Sequence, residues 1–452
     1  MVEIKSEIVS RQTIKPSHPT PPHLKTFKLS LLDQISPDIH SNMNFFFPSN
    51  NTSHSISNRD FFHKSMLLQD SISKTLSLFY PLAGRLRDAA TVDCNDEGAF
   101  FVEARVNIQL SHFLSQPDLN LMDHFLPTTD PMTMDLSNGA MFLVRFTSFT
   151  CGGVAICFSL THKLADVSAL HTLVQTWSSV CRGSSNPITP LLIGENFLAP
   201  RDEFHGMSAT VNIASEKFVQ RRFVFSASKI AELKARVSHE VLQSRFSRVE
   251  VVLALLWKCA VATKIQKIGS FRPTTLFQAV NLRKRLSPPL PETVIGNFIW
   301  PIMVSAYEEK DLELHEVVIQ LRKRLNEFNN TKANMFRGED APLAIMEAIK
   351  ERREFIRSNK EMEVYKCSSW CKLPLYDIDF GWGKPMWVVS VNRLVNNTIA
   401  LADTNSGDGI EALVTLDEEE MALFEQNEQL LKYANPNPSI YAFYNSNYNC
   451  RL

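Results

Sequence analysis

Residues 152–180 form the part of the chain that most restricts how it can fold. They begin with the short apolar run GGVAICFSL, continue with the polar stretch THKLAD, and end in VSALHTLVQTWSSV. A short apolar run bounded by glycines is typical of a buried β-strand. In the last stretch Leu170, Leu173, Val174, Trp177 and Val180 recur at helical spacing. The order is therefore strand, loop and helix, and a loop held by a rigid strand is a common place for chemistry.

The length of the chain predicts more than one domain. A chain of 452 residues exceeds what one ordinary hydrophobic core covers. After residue 181 the composition shifts to Gly, Ser, Pro and Asn without periodicity, which is typical of an interdomain linker. We therefore predict an N-terminal domain over residues 1–195, a linker over 196–215 and a C-terminal domain over 216–452.

Several further segments carry recognisable local patterns. Residues 59–79 place apolar side chains at three- and four-residue spacings, which predicts an amphipathic helix. Residues 91–106 contain two apolar stretches around Asn95, Asp96 and Gly98, which favours a β-hairpin. Ser247 and Glu250 have the spacing of a capping box, and residues 312–357 predict a pair of helices.

Composition and charge exclude several classes of protein. The chain has 47 basic and 48 acidic residues, so there is no electrostatic reason to expect nucleic acid as a partner. No run of 18 apolar residues occurs, so we expect no membrane span. The N-terminal stretch lacks an apolar core, so we expect no secretory signal.

The eight cysteines show no spacing typical of a disulfide framework, and we expect reduced thiols in an intracellular compartment. Cys367 and Cys371 stand four residues apart. One such pair is half of a structural zinc site, which needs four ligands. We therefore expect no bound metal.

His162 and Asp166 lie in the loop after the predicted strand. A histidine titrates near neutral pH, so it suits the role of a general base, and a nearby acid can orient it. The pair alone is a weak signal, because a chance His-x-x-x-Asp spacing is common in a chain of this size. Asp166 also stands where a helix begins, and its carboxylate could cap the first free N–H groups there. Both roles remain open on the residues alone.

The second candidate motif is Asp379-Phe380-Gly381-Trp382-Gly383, in which two glycines flank a bulky ring. Its first three letters match the metal-binding motif of protein kinases. The chain lacks the Gly-rich loop, the strand lysine and the His-Arg-Asp loop that a kinase requires. The segment also lacks the third glycine of a dinucleotide site, and no Gly-x-Ser-x-Gly elbow of a serine hydrolase occurs.

Taken together, the two motifs make the chain similar to the BAHD acyltransferases of plants. Further stretches agree with this family: LSLLDQ, YPLAGRL, VDCNDEG, AVNLRKRLSPPLP and SSWCKLPLYDIDFGWGKP. The resemblance implies an α/β fold of two chloramphenicol-acetyltransferase-like domains with a solvent channel between them. It also implies that an acyl-CoA, acetyl-CoA first, enters as a co-substrate from one face and a small alcohol from the other. Neither a bound cofactor nor a metal is implied.

The resemblance also implies a role for each matching residue. His162 would be the general base that takes the proton of the acceptor hydroxyl. Asp166 would point away from the substrate and form a structural ion pair, with Arg283 as its partner. Ser368 and Trp370 would stabilise the oxyanion, and Ser368 keeps the hydroxyl where several relatives have threonine. The residues Asp379, Gly381, Trp382 and Gly383 would have a structural role.

We therefore predict an acyl-CoA-dependent O-acyltransferase of plant specialised metabolism, with an alkaloid alcohol as the acceptor. A terpenoid or triterpenoid alcohol and a sugar ester are the alternatives. A non-catalytic binding protein on the same scaffold, and a hydrolase that activates water with His162, are the rivals from other classes. We expect a cytoplasmic monomer. The C-terminal Cys450-Arg451-Leu452 is a loose variant of a peroxisomal address, which keeps that compartment as the alternative.

Overall fold

The structure is a computed structural model that describes residues 3–49, 58–128, 139–204, 218–240, 246–391 and 395–443. Residues 205–215 of the predicted linker and the C-terminal tripeptide lie outside the described residues. Within these ranges the chain forms a mixed α/β fold with two large sheets.

Among the described residues up to position 204 there are eight strands and four α-helices. In chain order they are β1 (Ser6–Ile14), β2 (Thr26–Lys28), α1 (Leu31–Gln34), β3 (His40–Phe47), α2 (Asn58–Leu78), β4 (Arg85–Leu86), β5 (Thr91–Asp93), β6 (Ala99–Val106), α3 (Leu110–Ser115), β7 (Phe142–Ser148), β8 (Val154–Thr161) and α4 (Val167–Cys181).

The described ranges from residue 218 onward contain eight further strands and six α-helices. They are β9 (Phe218–Phe225), α5 (Ala227–Glu240), α6 (Arg248–Ile268), β10 (Thr274–Asn281), β11 (Ile299–Ala306), α7 (Leu314–Glu327), α8 (Ala341–Ser358), β12 (Glu363–Ser369), β13 (Trp387–Val389), β14 (Thr398–Asp403), β15 (Ile410–Asp417), α9 (Glu418–Phe424), α10 (Glu428–Leu431) and β16 (Asn435–Pro436).

The first large sheet has the strand order β1-β6-β7-β8-β3-β13, and the second has the order β11-β10-β12-β14-β15-β9-β16. The short strands β2, β5 and β4 form a third, small sheet. One face of the first sheet packs on α2 and α4 in a core rich in phenylalanine. One face of the second sheet packs on α5, α6, α7 and α9. A third core contains Phe46 of the first sheet and Leu413 of the second, so the two sheets also pack against each other.

Most of the predicted local elements are confirmed. The apolar run is strand β8, whose eight residues are all buried. The stripe that follows it is part of α4, and the helix predicted over residues 59–79 is α2, Asn58–Leu78. Ser247 and Glu250 cap each other in a reciprocal capping box at the start of α6. The predicted helix pair is α7 and α8.

The predicted hairpin over residues 91–106 is wrong. Strand β5 pairs with β2 and β4, whereas β6 pairs with β1 and β7 in the first large sheet. The turn between them has positive φ at Asp96 and Gly98, as expected for a tight turn. However, the Asp96 carboxylate accepts hydrogen bonds from Thr20 and from Lys25. These distant partners hold the turn and direct its two strands into different sheets.

The segment between β12 and β14 crosses from the second sheet to the first. Strand β13 pairs with β3, and Leu375, Ile378, Phe380 and Trp382 are buried in the core under α2 and α4. A domain boundary drawn at residue 216 therefore separates this segment from the core in which it packs. The end of the first half also packs with the second half, since Leu198 and Phe204 are buried in the same core as Leu282 and Phe298.

Within the described ranges, no helix has the length and apolar character needed to cross a membrane.

Candidate active site

His162 follows the last residue of β8, where the strand leaves the sheet. Its backbone N–H donates to the Ile39 carbonyl at 2.7 Å, and its carbonyl accepts from Asn297 Nδ2 at 2.6 Å. The loop is therefore fixed on both sides by main-chain contacts, while the side chain is half-buried. Its Nδ1 atom is buried without a hydrogen-bond partner. That leaves Nε2 as the ring nitrogen available for proton transfer.

Of the two roles that the sequence left open, Asp166 takes that of the helix cap. As the N-cap of α4, it accepts from the Ala169 N–H at 2.9 Å. It also forms the implied ion pair with Arg283, in which Nη1 lies 2.7 Å from Oδ2 and Nη2 lies 3.1 Å from Oδ1. Arg283 is 0% exposed and donates to the carbonyls of Val294 and Gly296 as well. The hydrogen-bond partners of the carboxylate thus lie in α4, after β10 and, through the Phe298 N–H, directly before β11, and the His162 ring is not among them.

Asn297 and Asp33 complete the support of the histidine loop, and sequence reasoning assigned neither of them a role. The Asp33 carboxylate accepts from the backbone N–H of Asn297 at 2.6 Å and from its amide at 2.9 Å. The same amide donates to the His162 carbonyl. Burial raises the pKa of Asp33, although hydrogen bonds from Ser30 and Asn297 oppose the shift. Asp33 lies within the stretch LSLLDQ, and the agreement of that stretch with the family was the one sequence feature that pointed to this residue.

Ser368 and Trp370 lie at the carboxyl end of β12. The indole Nε1 of Trp370 donates to the Ser368 hydroxyl at 3.1 Å. In this structure the two implied oxyanion donors are thus bonded to each other, and the hydroxyl proton of Ser368 is the one left to donate onward. A hydroxyl that accepts one hydrogen bond becomes a better donor of the next.

The topology brings Ser368 and the histidine loop to the same region. Strands β10 and β12 are parallel, so their carboxyl ends lie at one edge of the second sheet. At that edge Asn281, the last residue of β10, donates to the Ser168 hydroxyl in the first turn of α4 at 3.0 Å. Ser368 pairs with Ala400, and Ala400 packs against the core between the two sheets. Because side chains alternate along a strand, Ser368 faces the first sheet.

A narrow cavity lies beside Trp370, where the two sheets meet. Met43 of β3, Ser390, Tyr376 and Asp403 line it with the indole. Its walls come from both halves of the chain, as expected for a site at a domain junction. Burial raises the pKa of Tyr376, so its hydroxyl stays protonated and available as a donor.

The Asp379–Gly383 segment forms a tight turn away from these groups. The Asp379 carboxylate accepts from the N–H groups of Gly381 at 2.7 Å and of Gly383 at 3.0 Å. Both glycines have positive φ, of 108° and 97°, a conformation that glycine adopts at little cost. Trp382 is 7% exposed and contacts the rings of Phe47 and Phe380. The contacts of this segment are those of a packed turn.

Cys367 and Cys371 are both free thiols. Cys367 is buried in the core of the second sheet, and Cys371 is partly buried and packs against that core. Burial raises the pKa of Cys371 to about 12, so its thiolate is disfavoured. In the part of the chain that the structure describes, no group of three His, Cys, Asp or Glu side chains is placed to hold a metal ion.

Comparison with known proteins identifies relatives that match nearly the whole chain. The model of the Transferase family matches residues 4–431. Akuammiline synthase 1 of Alstonia scholaris is 38% identical over 427 residues, covering 94% of this chain and 97% of that protein. A limonoid 7-O-acetyltransferase of Citrus sinensis is 36% identical over 457 residues, covering 96% of this chain and 99% of that protein.

Among solved structures, the crystal structure of vinorine synthase matches with a TM-score of 0.83 at 33% identity. The match covers 96% of this chain and 100% of vinorine synthase, so the two-domain architecture is shared throughout. The family model, the relatives and the fold agree with the family resemblance that the sequence motifs indicated. The chain belongs to the transferase family of plant BAHD acyltransferases.

Proposed function

We propose that His162 is the general base of an acetyl transfer from coenzyme A to a hydroxyl group of an alkaloid. The chain is an acyl-CoA-dependent O-acyltransferase of specialised metabolism, with the acyl-CoA as a co-substrate. The observation that carries the assignment of the base is the placement of His162. Its main chain is held on both sides, its Nδ1 is buried, and its backbone contacts both halves of the chain, at Ile39 and at Asn297.

The proposed reaction is a direct transfer. His162 Nε2 takes the proton of the acceptor hydroxyl while the oxygen attacks the thioester carbonyl, and a tetrahedral intermediate forms. The Ser368 hydroxyl, polarised by Trp370, donates to the developing oxyanion. When the intermediate collapses, the carbon–sulfur bond breaks and protonated His162 gives its proton to the departing thiolate. The products are the ester and free coenzyme A, and the enzyme is regenerated.

The acceptor class is the finer part of the proposal. The relatives of this chain include alkaloid and terpenoid acyltransferases. The two named relatives differ little in identity to this chain, at 38% for akuammiline synthase 1 and 36% for the limonoid acetyltransferase. The second of them makes a terpenoid alcohol the second candidate acceptor. We further propose that the protein acts as a monomer in the cytosol.

The test of this proposal is incubation of the purified protein with acetyl-CoA, malonyl-CoA and longer acyl-CoAs and a panel of alkaloid, terpenoid and sugar-ester alcohols, analysed by mass spectrometry. We expect a gain of one acetyl group on an alkaloid alcohol and release of coenzyme A. Free thiol without any ester product would indicate a thioesterase, and no turnover with any pair would indicate a binding protein. His63→Ala, an exposed histidine on α2, serves as the control for His162→Ala.

A further inference from the structure

The chain reverses direction directly after the proposed oxyanion donors. The Leu373 N–H donates to the Trp370 carbonyl at 3.1 Å, which closes a four-residue turn over residues 370–373. Its third residue, Lys372, has a φ of 72°. This position of a type II turn needs a positive φ and is usually glycine or asparagine, because a β-carbon is strained there. A lysine at this position requires support from outside the turn.

The Asp403 carboxylate supplies that support from the end of β14. Its Oδ2 accepts from the Lys372 N–H at 2.7 Å, and its Oδ1 accepts from Arg248 Nη2 at 3.0 Å. The other end of the guanidinium, Nη1, donates to the carbonyls of Gly407 at 2.9 Å and Asp408 at 2.7 Å. The arginine is thus held by the loop between β14 and β15, and its charge keeps Asp403 directed at the turn.

The same carboxylate is close to the proposed chemistry. Asp403 and Trp370 line the same narrow cavity. The main chain of Trp370 is anchored one strand away, where its N–H donates to the Leu401 carbonyl at 2.7 Å. The turn is therefore fixed at its first residue by β14 and at its third residue by Asp403. With its main chain held in this way, the Trp370 indole donates to the Ser368 hydroxyl.

We propose that Asp403, held by Arg248, is a positioning residue for catalysis: it stabilises the strained turn at Lys372 and so aims the Trp370 indole at the Ser368 hydroxyl. The proposal rests on the proposed role of Ser368 and Trp370 in stabilising the oxyanion. An oxyanion donor acts in the transition state, so its misplacement lowers kcat and leaves substrate binding unchanged. The carboxylate acts through the turn and Trp370 and has no part of its own in the chemistry.

The test compares Asp403→Ala, Asp403→Asn and the double variant Asp403→Ala/Lys372→Gly in the full-length enzyme. We expect Asp403→Ala to lower kcat by about 10- to 100-fold, part of the loss seen when one oxyanion donor is removed. KM for both substrates should stay within about 2-fold. Asp403→Asn keeps an oxygen acceptor for the Lys372 N–H and should lose less. Asp377→Ala, which removes an exposed ion pair with Lys384 in the same segment, is the matched control.

The double variant separates positioning from general stability. Glycine at position 372 removes the strain that Asp403 offsets, so we expect it to restore at least about 5-fold of the lost kcat. No recovery in the double variant, or a loss confined to the KM of one substrate, would overturn the inference. If Ser368→Ala and Trp370→Phe lower kcat but Asp403→Ala and Asp403→Asn do not, only the inference fails. If Ser368→Ala and Trp370→Phe retain full kcat, the proposed oxyanion role fails and the inference with it.

Discussion

Replacement of Asp166 by asparagine should destabilise the fold more than it slows the chemistry. The Asp166 carboxylate accepts four hydrogen bonds, from Ala169, Phe298 and two nitrogens of Arg283. Asparagine keeps the size of the side chain and one oxygen acceptor but removes the negative charge. The Arg283 guanidinium, 0% exposed, is then left in the interior without a counter-charge. Breaking a buried ion pair in this way costs about 3–5 kcal/mol.

This free energy corresponds to a measurable shift of the melting temperature. For domains of ~150–250 residues, each kcal/mol shifts Tm by about 2–4 °C, so we expect a fall on the order of 10 °C. Thermal unfolding followed by circular dichroism gives the shift, and steady-state kinetics below the transition gives kcat. The helix cap contributes little to this loss, because the asparagine oxygen can still accept from the Ala169 N–H. Asp166→Ala removes the cap as well and should cost about 0.5–2 kcal/mol more.

A second variant isolates the unpaired charge. In Asp166→Asn/Arg283→Met neither buried charge remains, so the double variant should be more stable than Asp166→Asn alone. A normal melting temperature for Asp166→Asn, with kcat reduced, would refute this reasoning. Asp166 would then act on the base directly, although the His162 ring is not among its hydrogen-bond partners.

Three further predictions concern single features of the molecule. Ser368→Ala should lower kcat by up to ~10²-fold with little change in either KM. The control Ser369→Ala, on the opposite face of β12, should leave kcat unchanged. An effect of Ser368→Ala on the acceptor KM alone would instead place the hydroxyl in the acceptor pocket. Asp379→Ala frees the N–H groups of Gly381 and Gly383 and should lower Tm while kcat at low temperature is kept; the reverse pattern would contradict a structural role. A fluorescent protein fused to the N-terminus should give a diffuse cytosolic signal, and puncta that vanish on removal of Leu452 would show peroxisomal import instead.

The sequence was most informative where a single segment determines its own structure. Strand β8 and helix α4 follow from apolar runs and helical spacing, and the cap of α6 follows from Ser247 and Glu250. The position of His162 at the end of β8 follows from the same local pattern. Local reasoning could also state that Asp166 caps a helix. It could not find Arg283, which lies 117 residues away and came only from the resemblance to a known family.

The parts that escaped prediction depend on contacts between distant segments. The hairpin at Asp96 failed because Thr20 and Lys25 bind the turn from far along the chain. Strand β13 joins the first sheet although it lies in the second half of the chain, between β12 and β14 of the second sheet, and no local pattern encodes which sheet receives it. Asn297 likewise gains its role from two partners, Asp33 and His162, that lie 264 and 135 residues away.

The most direct test of the account is the turnover of His162→Ala with acetyl-CoA and the acceptor found in the panel. Loss of a positioned general base should lower kcat by at least ~10²-fold. The melting temperature should stay near that of the parent enzyme, because the loop is held through the backbone of His162 and not through its ring. Near-normal turnover in a correctly folded His162→Ala would contradict the proposed mechanism.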